Sequence, residues 1–144
     1  MANITFLTPN GDILEKPSMD LLENVVLNRG EEYWNINAGG GSRSYQAGSL
    51  KTTLDLNLDK DRGFYFLFIS MEGHFVVDYS GDFSHAVEIW QGGEPAYYPA
   101  ALIVPKGEAW TIVRAFCETG EKSRKYKWTL RKHLKWDYST GLPL

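Results

Sequence analysis

The stretch GGEPAYYPAALIVPKGEAWTIVRAFCETGEKSRKYKW, residues 92–128, decides how the second half of this chain folds. Its Gly-Gly-Glu-Pro beginning indicates a turn. Beyond it, apolar residues recur at the spacing of one helical face: Ala109, Ile112, Val113 and Phe116. Pro105 precedes this run and Gly120 follows it, as is common at the two ends of a helix. We therefore predict a helix over residues 107–119 and an aromatic strand over residues 125–130.

A second helix is predicted nearer the start of the chain. Pro17 and Ser18 are helix-start residues, and Gly30 is placed to end the helix. The apolar residues between them share one helical face: Met19, Leu22, Val25 and Val26. We expect this face to pack on a sheet.

Strand patterns occupy most of the remaining chain. They cover residues 4–7, 33–37, 49–59, 64–69, 74–79 and 87–90, whereas the glycines at residues 39–41 read as a turn. Residues 49–59 alternate most regularly, with leucines on one side and Lys51, Thr53, Asp55, Asn57 and Asp59 on the other. Such alternation predicts one buried face and one wet face, and the short connections favour antiparallel pairing. The predicted fold is α+β: a single antiparallel sheet of about six strands with two main helices packed on it.

The length of 144 residues fits one domain spanning residues 1–144. Hydrophobic residues make up 43% of the chain, which is too many for a disordered protein. No apolar run approaches the ~18 residues that a membrane helix needs, and the first residues lack a basic leader. The single cysteine, Cys117, has no partner for an internal disulfide and falls in the predicted helix, where we expect a buried, inert thiol. These features predict a cytoplasmic protein.

Charge is distributed unevenly along the chain. Residues 1–121 contain 8 Lys/Arg and 17 Asp/Glu, whereas residues 122–144 contain 7 and 1. Such asymmetry indicates a charged partner, or two faces that attract each other within the fold.

No catalytic constellation stands out, and we expect neither an enzyme nor a cofactor. No serine lies in a nucleophile elbow, and no glycine pattern of the dinucleotide-binding type follows a strand. The alternative is a small metal-dependent hydrolase that uses His74, Asp78, Asp82 and His85. Residues 74 and 78 would lie about 13 Å apart along a strand, which is too far for one metal ion. We therefore predict no metal site.

A nucleic-acid-binding module is a further alternative. The C-terminal region interleaves cations with aromatic residues, as single-strand binders do: Lys122, Arg124, Lys125, Lys127, Arg131, Lys132 and Lys135 with Tyr126, Trp128, Trp136 and Tyr138. However, residues 126 and 128 alternate as core residues would, and the pI near 5.6 opposes a basic footprint. No direct nucleic-acid partner is expected.

An acidic and aromatic surface is the preferred candidate for binding. Four carboxylates precede or enter the turn at residues 92–95 and lie close in sequence to three aromatics; the set is Asp78, Asp82, Glu88 and Glu94 with Trp90, Tyr97 and Tyr98. Acidic residues speed the association with a basic protein, and exposed aromatic residues that become buried in the complex slow its dissociation. In the opposing interpretation, Trp90 and one tyrosine belong to the core and the acids only solvate loops. If these acids do not bind a partner, the opposite face with Asp55, Asn57 and Asp59 is the next candidate.

The segment from the turn to the last strand resembles a known family. The Gly92-Gly93-Glu94-Pro95 turn, Pro99, Val104-Pro105, the helix with Ala109 and Phe116, Thr119-Gly120 and the closing Trp128 are similar to the first-numbered family of bacterial polymorphic-toxin immunity proteins, known from contact-dependent inhibition systems. The resemblance covers residues 50–128, and its motifs lie within residues 92–128.

This resemblance implies a small α+β protein, encoded beside a toxin, that binds and neutralises the toxin's C-terminal effector domain. Members of the family are often paired with toxins resembling nucleic-acid deaminases, and a nuclease is the other toxin class we consider. The implied partner is therefore a protein domain.

Overall fold

The computed structural model describes residues 4–34, 43–47, 52–59, 61–91 and 94–144. Its three helices are α1 (Met19–Asn28), α2 (Glu31–Trp34) and α3 (Lys106–Thr119). Its strands are β1 (Ile4–Leu7), β2 (Ile13–Glu15), β3 (Arg43–Ala47), β4 (Thr52–Asp59), β5 (Gly63–Ser70), β6 (Gly73–Val77), β7 (Ala86–Gln91), β8 (Glu94–Pro99), β9 (Ile103–Pro105) and β10 (Trp128–Leu130).

The described strands form one large sheet and one separate hairpin. The large sheet has the order β10-β6-β5-β4-β3-β1-β2, with β9 paired to β5. The hairpin consists of β7 and β8, and all pairings are antiparallel. The predicted α+β class with an antiparallel sheet is confirmed. The prediction of a single sheet of about six strands is wrong, because β7 turns its apolar side chains toward the face of the sheet and pairs with β8 instead.

One face of the sheet, which we call the first face, is covered by α1 and α3. Its core is almost entirely apolar, with leucines from β4 and phenylalanines from β5 meeting the buried sides of the two helices: Leu54, Leu56, Leu58, Phe64, Phe66, Phe68, Leu22, Val25, Val26, Ala109, Ile112, Val113, Phe116 and Cys117. The aromatic rings interlock, as where Phe68 meets Phe116 with ring centroids 6.1 Å apart. Both predicted helices therefore pack on the sheet as expected.

The ends of the two helices follow from their local sequence. At the start of α1, the Ser18 hydroxyl accepts a hydrogen bond from the Leu21 backbone N–H at 3.1 Å. At the end of α3, Gly120 adopts the left-handed conformation, and its N–H bonds to the carbonyl of Phe116. Cys117 is buried in α3 as predicted, and burial raises the pKa of its thiol to about 12.

The other face of the sheet, the second face, is also covered. The hairpin, a short 3-10 turn (Ala100–Leu102) and the C-terminal segment (residues 134–144) pack against it. The buried residues of this layer are Tyr65, Val76, Val87, Ile89, Ala100, Leu102, Ile103 and Trp136. The prediction that one face of β4 is exposed to solvent is therefore wrong in part, since the residues Asn57 and Asp59 are only 3% and 7% exposed.

Two element predictions are corrected near the sheet margins. Tyr33 and Trp34 lie in the short helix α2 rather than in a strand, because the helical turn buries the Trp34 indole against Phe64, with ring centroids 5.0 Å apart. The Trp34 Nε1–H also donates to the carbonyl of Val25 at 3.2 Å. The last strand is limited to β10 and does not begin at residue 125. The predictions for residues 35–37, 39–41, 49–51 and 92–93 fall outside the described residues.

The antiparallel pairing of β5 with β9 depends on Gly63. A Cβ atom at this position would lie 2.0 Å from the carbonyl oxygen of Val104, so only glycine allows the two strands to approach. This contact places the start of α3 beside the beginning of β5. Among the described helices, none is both long and apolar enough to cross a lipid bilayer.

Candidate functional site

The hairpin presents two different surfaces because its residues alternate. Val87 and Ile89 are buried toward the sheet, whereas Glu88 and Trp90 point outward and are exposed. Tyr97 lies opposite Glu88, and its hydroxyl donates to Glu88 Oε2 at 3.1 Å. This hydrogen bond raises the pKa of Tyr97, because the carboxylate favours the protonated phenol. The outward surface thus joins an acid to aromatic side chains.

A groove of about 360 Å³ borders this outward surface. It is formed where α2, the turn between β4 and β5, and β7 meet, and we call it the acidic groove. Its lining consists of Glu31, Leu58, Asp59, Asp61, Arg62, Ala86, Val87, Glu88 and Trp90. Four carboxylates face one guanidinium there, so the groove carries net negative charge.

Trp90 is the largest exposed group of the acidic groove. Its side chain is 46% exposed, although tryptophans elsewhere in the described chain are half-buried or buried. The neighbouring turn is ordered by Asp59, whose Oδ1 accepts the backbone N–H of Asp61 at 3.1 Å. A large indole beside fixed carboxylates is the composition expected of a site that binds a basic protein surface.

The predicted binding residues Asp78 and Asp82 lie elsewhere. The backbone of Asp82 accepts a hydrogen bond from Ala101, at the end of the hairpin opposite the β7–β8 connection. Because β7 has six residues, the two ends are about 17 Å apart. Asp78 forms an ion pair with Lys127, at 3.4 Å between Oδ2 and Nζ. Asp82 therefore lies at the end of the hairpin away from Trp90, and Asp78 is paired with Lys127.

Asp82 belongs to a small polar cluster within its own loop. The Ser84 hydroxyl donates to Asp82 Oδ1 at 2.6 Å, and Nδ1 of His85 lies 2.9 Å from Asp82 Oδ2. Hydrogen bonds from Ser84 and then from His85 lower the pKa of Asp82 to about 2. The same imidazole nitrogen faces both the hydroxyl and the carboxylate, so the three groups do not form the relay that a catalytic triad needs.

The last two residues predicted to bind a partner, Glu94 and Tyr98, lie on different surfaces of the protein. Glu94 is exposed at the end of the hairpin where β7 connects to β8, opposite Gln91. Tyr98 points to the second face, where its ring lies 4.3 Å from the ring of Tyr65 and 5.9 Å from that of Trp136. The expectation that one of the tyrosines belongs to the core therefore holds for Tyr98, whereas Trp90 is exposed.

The residues of the metal-dependent alternative are not brought together. In the described part of the chain, no group of three or more histidine, cysteine, aspartate or glutamate side chains is placed to hold a metal ion. His85 contacts Asp82, but Asp78 turns toward Gly81 and Lys127, and His74 lies on β6. The four residues therefore do not form one coordination site.

The basic C-terminal region uses most of its aromatic residues for packing. Trp128 contacts the first-face core, Trp136 is buried on the second face, and the Tyr126 hydroxyl donates to Glu108 Oε1 at 3.1 Å. The Lys122 ammonium lies 4.3 Å from the Phe75 ring centroid. Of the four interleaved aromatics, Tyr138 alone is largely exposed, at 70%. A continuous stacking platform for bases is therefore absent from the described surface.

Two acids of the groove, Glu31 and Asp61, were not singled out as binding residues by the sequence, and Asp59 was named only as part of the opposite face with Asp55 and Asn57. Each lies on an element distant in sequence from Trp90, so no local pattern connects them. The only signal was the charged turn at residues 59–62, which predicts a loop and nothing about its neighbours.

Comparison of the chain with protein-family models, with curated proteins and with solved structures finds no match.

Proposed function

We propose that this protein is an immunity protein that binds the C-terminal domain of a cognate toxin in the cytoplasm and neutralises it. The observation that carries the proposal is the acidic groove with the exposed Trp90 on its rim. The sequence resemblance of residues 92–128 to an immunity family points to the same activity.

Charge and shape have separate roles in this binding. The four carboxylates of the groove attract a basic partner during encounter, and this attraction weakens with added salt. Trp90 supplies apolar area that becomes buried when the partner docks, which slows dissociation. Tyr97 and Glu88 hold each other in position beside it, so part of the surface is ordered before binding.

The mode of neutralisation follows from the chemistry of the partner. A toxin that acts on nucleic acid presents lysine and arginine side chains where the phosphates bind. An acidic groove is complementary to such a surface and competes with the nucleic acid for it. We therefore propose that the immunity protein blocks the substrate cleft of a deaminase-like or nuclease toxin.

Co-expression with the toxin domain encoded beside this chain tests the function directly. Cells that produce the toxin domain should survive only when this protein is also produced, and the two proteins should co-purify. A catalytically inactive toxin domain is the control for toxicity. Failure of rescue together with failure of complex formation would show that the proposal is wrong.

Charge reversal tests whether the acidic groove is the binding surface. The double variant Glu88→Lys, Asp61→Lys should slow association with the toxin domain by about tenfold or more at low salt and reduce the salt dependence. Glu23→Lys is the matched control, because Glu23 is exposed on α1, which covers the first face. Equal effects of the groove and control variants would rule out the groove.

Truncation of the indole tests the proposed anchor. Trp90→Ala should weaken the complex by about 2 kcal/mol, mainly through faster dissociation. Reversal of Asp78 or Asp82 should have smaller effects, because Asp82 lies at the other end of the hairpin and Asp78 is already paired with Lys127. A Trp90→Ala complex as stable as that of the wild-type protein would exclude Trp90 from the interface.

A further inference from the structure

A cavity of about 570 Å³ lies near the β10 edge of the large sheet, and we call it the basic cavity. It is formed where the start of β6, a 3-10 turn (Arg131–His133) and the C-terminal segment meet. Its size falls in the range of about 300–1,000 Å³ that small-molecule sites occupy. Its lining consists of Glu72, Gly73, His74, Leu130, Arg131, Lys132, Leu134, Lys135, Trp136, Tyr138 and Leu144.

The lining of the basic cavity is rich in cations, although the chain as a whole has a net charge of −3. Arg131, Lys132 and Lys135 contribute positive charge, and the opposing groups are Glu72 and the carboxylate of Leu144. Both lysines are exposed, and neither ammonium forms an ion pair with a carboxylate of the described residues. The cavity thus presents two ammonium groups that an anionic ligand can neutralise.

The third cation, Arg131, is held in a fixed position. Its guanidinium donates from Nη1 to the carbonyl of Leu134 at 3.2 Å and from Nη2 to the Tyr138 hydroxyl at 2.7 Å. Its central carbon lies 3.6 Å from the Trp136 ring centroid, so stacking fixes the planar group as well. The guanidinium therefore contributes a positive charge whose position is set before any ligand binds.

The ring of Tyr138 gives the basic cavity an aromatic wall. This residue is 70% exposed, and its ring meets the buried Trp136 edge-on with ring centroids 5.8 Å apart. Tyr138 and Arg131 also line a neighbouring cavity of about 550 Å³ beside β8. A ligand held by the two lysines therefore has room for a flat group beside the tyrosine ring.

These walls fit an anion that carries a flat ring. A phosphate monoester carries about 1.5 to 2 negative charges near neutral pH and accepts strong hydrogen bonds from ammonium groups. A nucleic-acid base stacks on an aromatic side chain with a contribution of about 1–3 kcal/mol. A longer strand needs several such rings in succession, whereas Tyr138 is a single exposed ring. The chemistry therefore corresponds to one nucleotide.

We propose that the basic cavity binds a single nucleoside 5′-phosphate. The phosphate oxygens accept hydrogen bonds from Lys132 and Lys135, and the charge of Arg131 adds to the attraction. The base stacks on the exposed ring of Tyr138. This binding does not depend on the proposed toxin interaction, because it uses β6 and the C-terminal segment rather than the acidic groove.

Three ligands test the proposal on the wild-type protein. Adenosine 5′-monophosphate has both a phosphate and a base, adenosine lacks the phosphate, and inorganic phosphate lacks the base. In an NMR titration that follows the backbone amides of the cavity, the monophosphate should bind saturably with a dissociation constant of about 1 mM or lower. Adenosine and inorganic phosphate should each bind at least about tenfold more weakly. If the monophosphate does not bind, or if either part binds as tightly, the proposal is overturned.

Removal of the two lysines tests the phosphate contacts. The double variant Lys132→Ala, Lys135→Ala should lower the affinity for adenosine 5′-monophosphate at least about tenfold. The double variant Arg124→Ala, Lys125→Ala is the matched control, because it removes the same charge from exposed residues outside the cavity lining. The control should change the affinity by less than about twofold. Equal losses in both double variants would mean that general charge attraction holds the ligand, and would overturn the assigned site.

Substitution of Tyr138 tests the aromatic wall. Tyr138→Leu should lower the affinity for the monophosphate at least about fivefold, whereas Tyr138→Phe keeps the ring and should retain the affinity within about twofold. Equal losses in the two variants would contradict stacking on this ring.

A short 5′-phosphorylated oligoadenylate distinguishes a free nucleotide from the end of a nucleic acid. An affinity within about tenfold of that of the monophosphate supports a site for one nucleotide. Tighter binding than this would overturn the assignment to a single nucleotide, because it would require contacts with further nucleotides.

Discussion

The two faces of the large sheet are built from the same strands but from different chemistry. On the first face, leucines and phenylalanines meet two helices in an apolar core. On the second face, Asn57, Arg131 and several tyrosines lie under a hairpin and a C-terminal segment, with a cavity between them. This contrast teaches that apolar packing is continuous on the first face, whereas the second face combines an apolar layer with buried polar groups and a cavity.

The largest expected effect on stability is the difference between a leucine-to-alanine substitution on the first face and the same substitution on the second face. Leu56→Ala on the first face should reduce the free energy of unfolding by about 3–5 kcal/mol, because the fully buried side chain leaves a cavity among rings that cannot collapse. Leu67→Ala on the second face should reduce it by only about 1 kcal/mol, because that side chain is half-buried and already borders a cavity. Urea denaturation of both variants measures the difference. Equal losses would remove the distinction between the faces.

The next effect tests how tightly the C-terminal segment holds the hairpin. Gly141 has a φ of 75°, and a Cβ there would lie 2.7 Å from the Ala86 Cβ and 3.1 Å from the Tyr98 backbone. Gly141→Ala should therefore destabilise the protein by about 2–4 kcal/mol through backbone strain and overpacking. The control is Gly81→Ala, with a φ of 73° but nothing within 4 Å of the added methyl, and it should cost about 1 kcal/mol. Similar losses in the two variants would mean that the segment is loosely held.

A feature of the two faces can be predicted from the sequence when the residues that form it lie close together along the chain. The helices α1 and α3 were predictable because their apolar spacing and the residues at their ends are read within one segment. The coverage of the second face was not, since the hairpin that buries Asn57 begins about thirty residues later in the chain. The side-chain alternation of β4 places Asn57 on that face correctly, but it cannot say whether another element covers it.

The candidate site was less predictable for the same reason. Glu88 and Tyr97 could be grouped because they are near in sequence, and they do form a hydrogen bond. Asp59 and Asp61 reach the same groove from a different turn, and only the packing of β7 beside β4 brings them there. For Trp34, a residue type common in strands, burial against Phe64 and α1 outweighs that preference. Long-range packing decided each of these cases.

A smaller effect concerns the pH dependence of the first-face core. Burial raises the pKa of the Cys117 thiol from about 9 to about 12, so the folded protein keeps this proton between those pH values while the unfolded chain releases it. The free energy of unfolding must then fall as the pH rises above 9, by about 1 kcal/mol for this group at pH 10. Urea denaturation from pH 8 to 11 should show a shallower fall in Cys117→Ala than in the wild-type protein. Identical slopes would mean that the thiol is not shielded from water.

The smallest effect on stability is expected on the outer surface of the hairpin. Glu88→Gln should change the free energy of unfolding by less than about 0.5 kcal/mol, because the side chain is exposed. It should nevertheless lower the pKa of Tyr97 toward its ordinary value, since the hydrogen bond to the Glu88 carboxylate is the main cause of the raised pKa. An NMR titration of the Tyr97 ring in both proteins measures this change, and Glu23→Gln on α1 is the control. If Tyr97 titrates identically in the wild-type and Glu88→Gln proteins, the Tyr97 hydroxyl and the Glu88 carboxylate are not hydrogen-bonded in solution. The surface beside the acidic groove would then not be ordered before a partner binds.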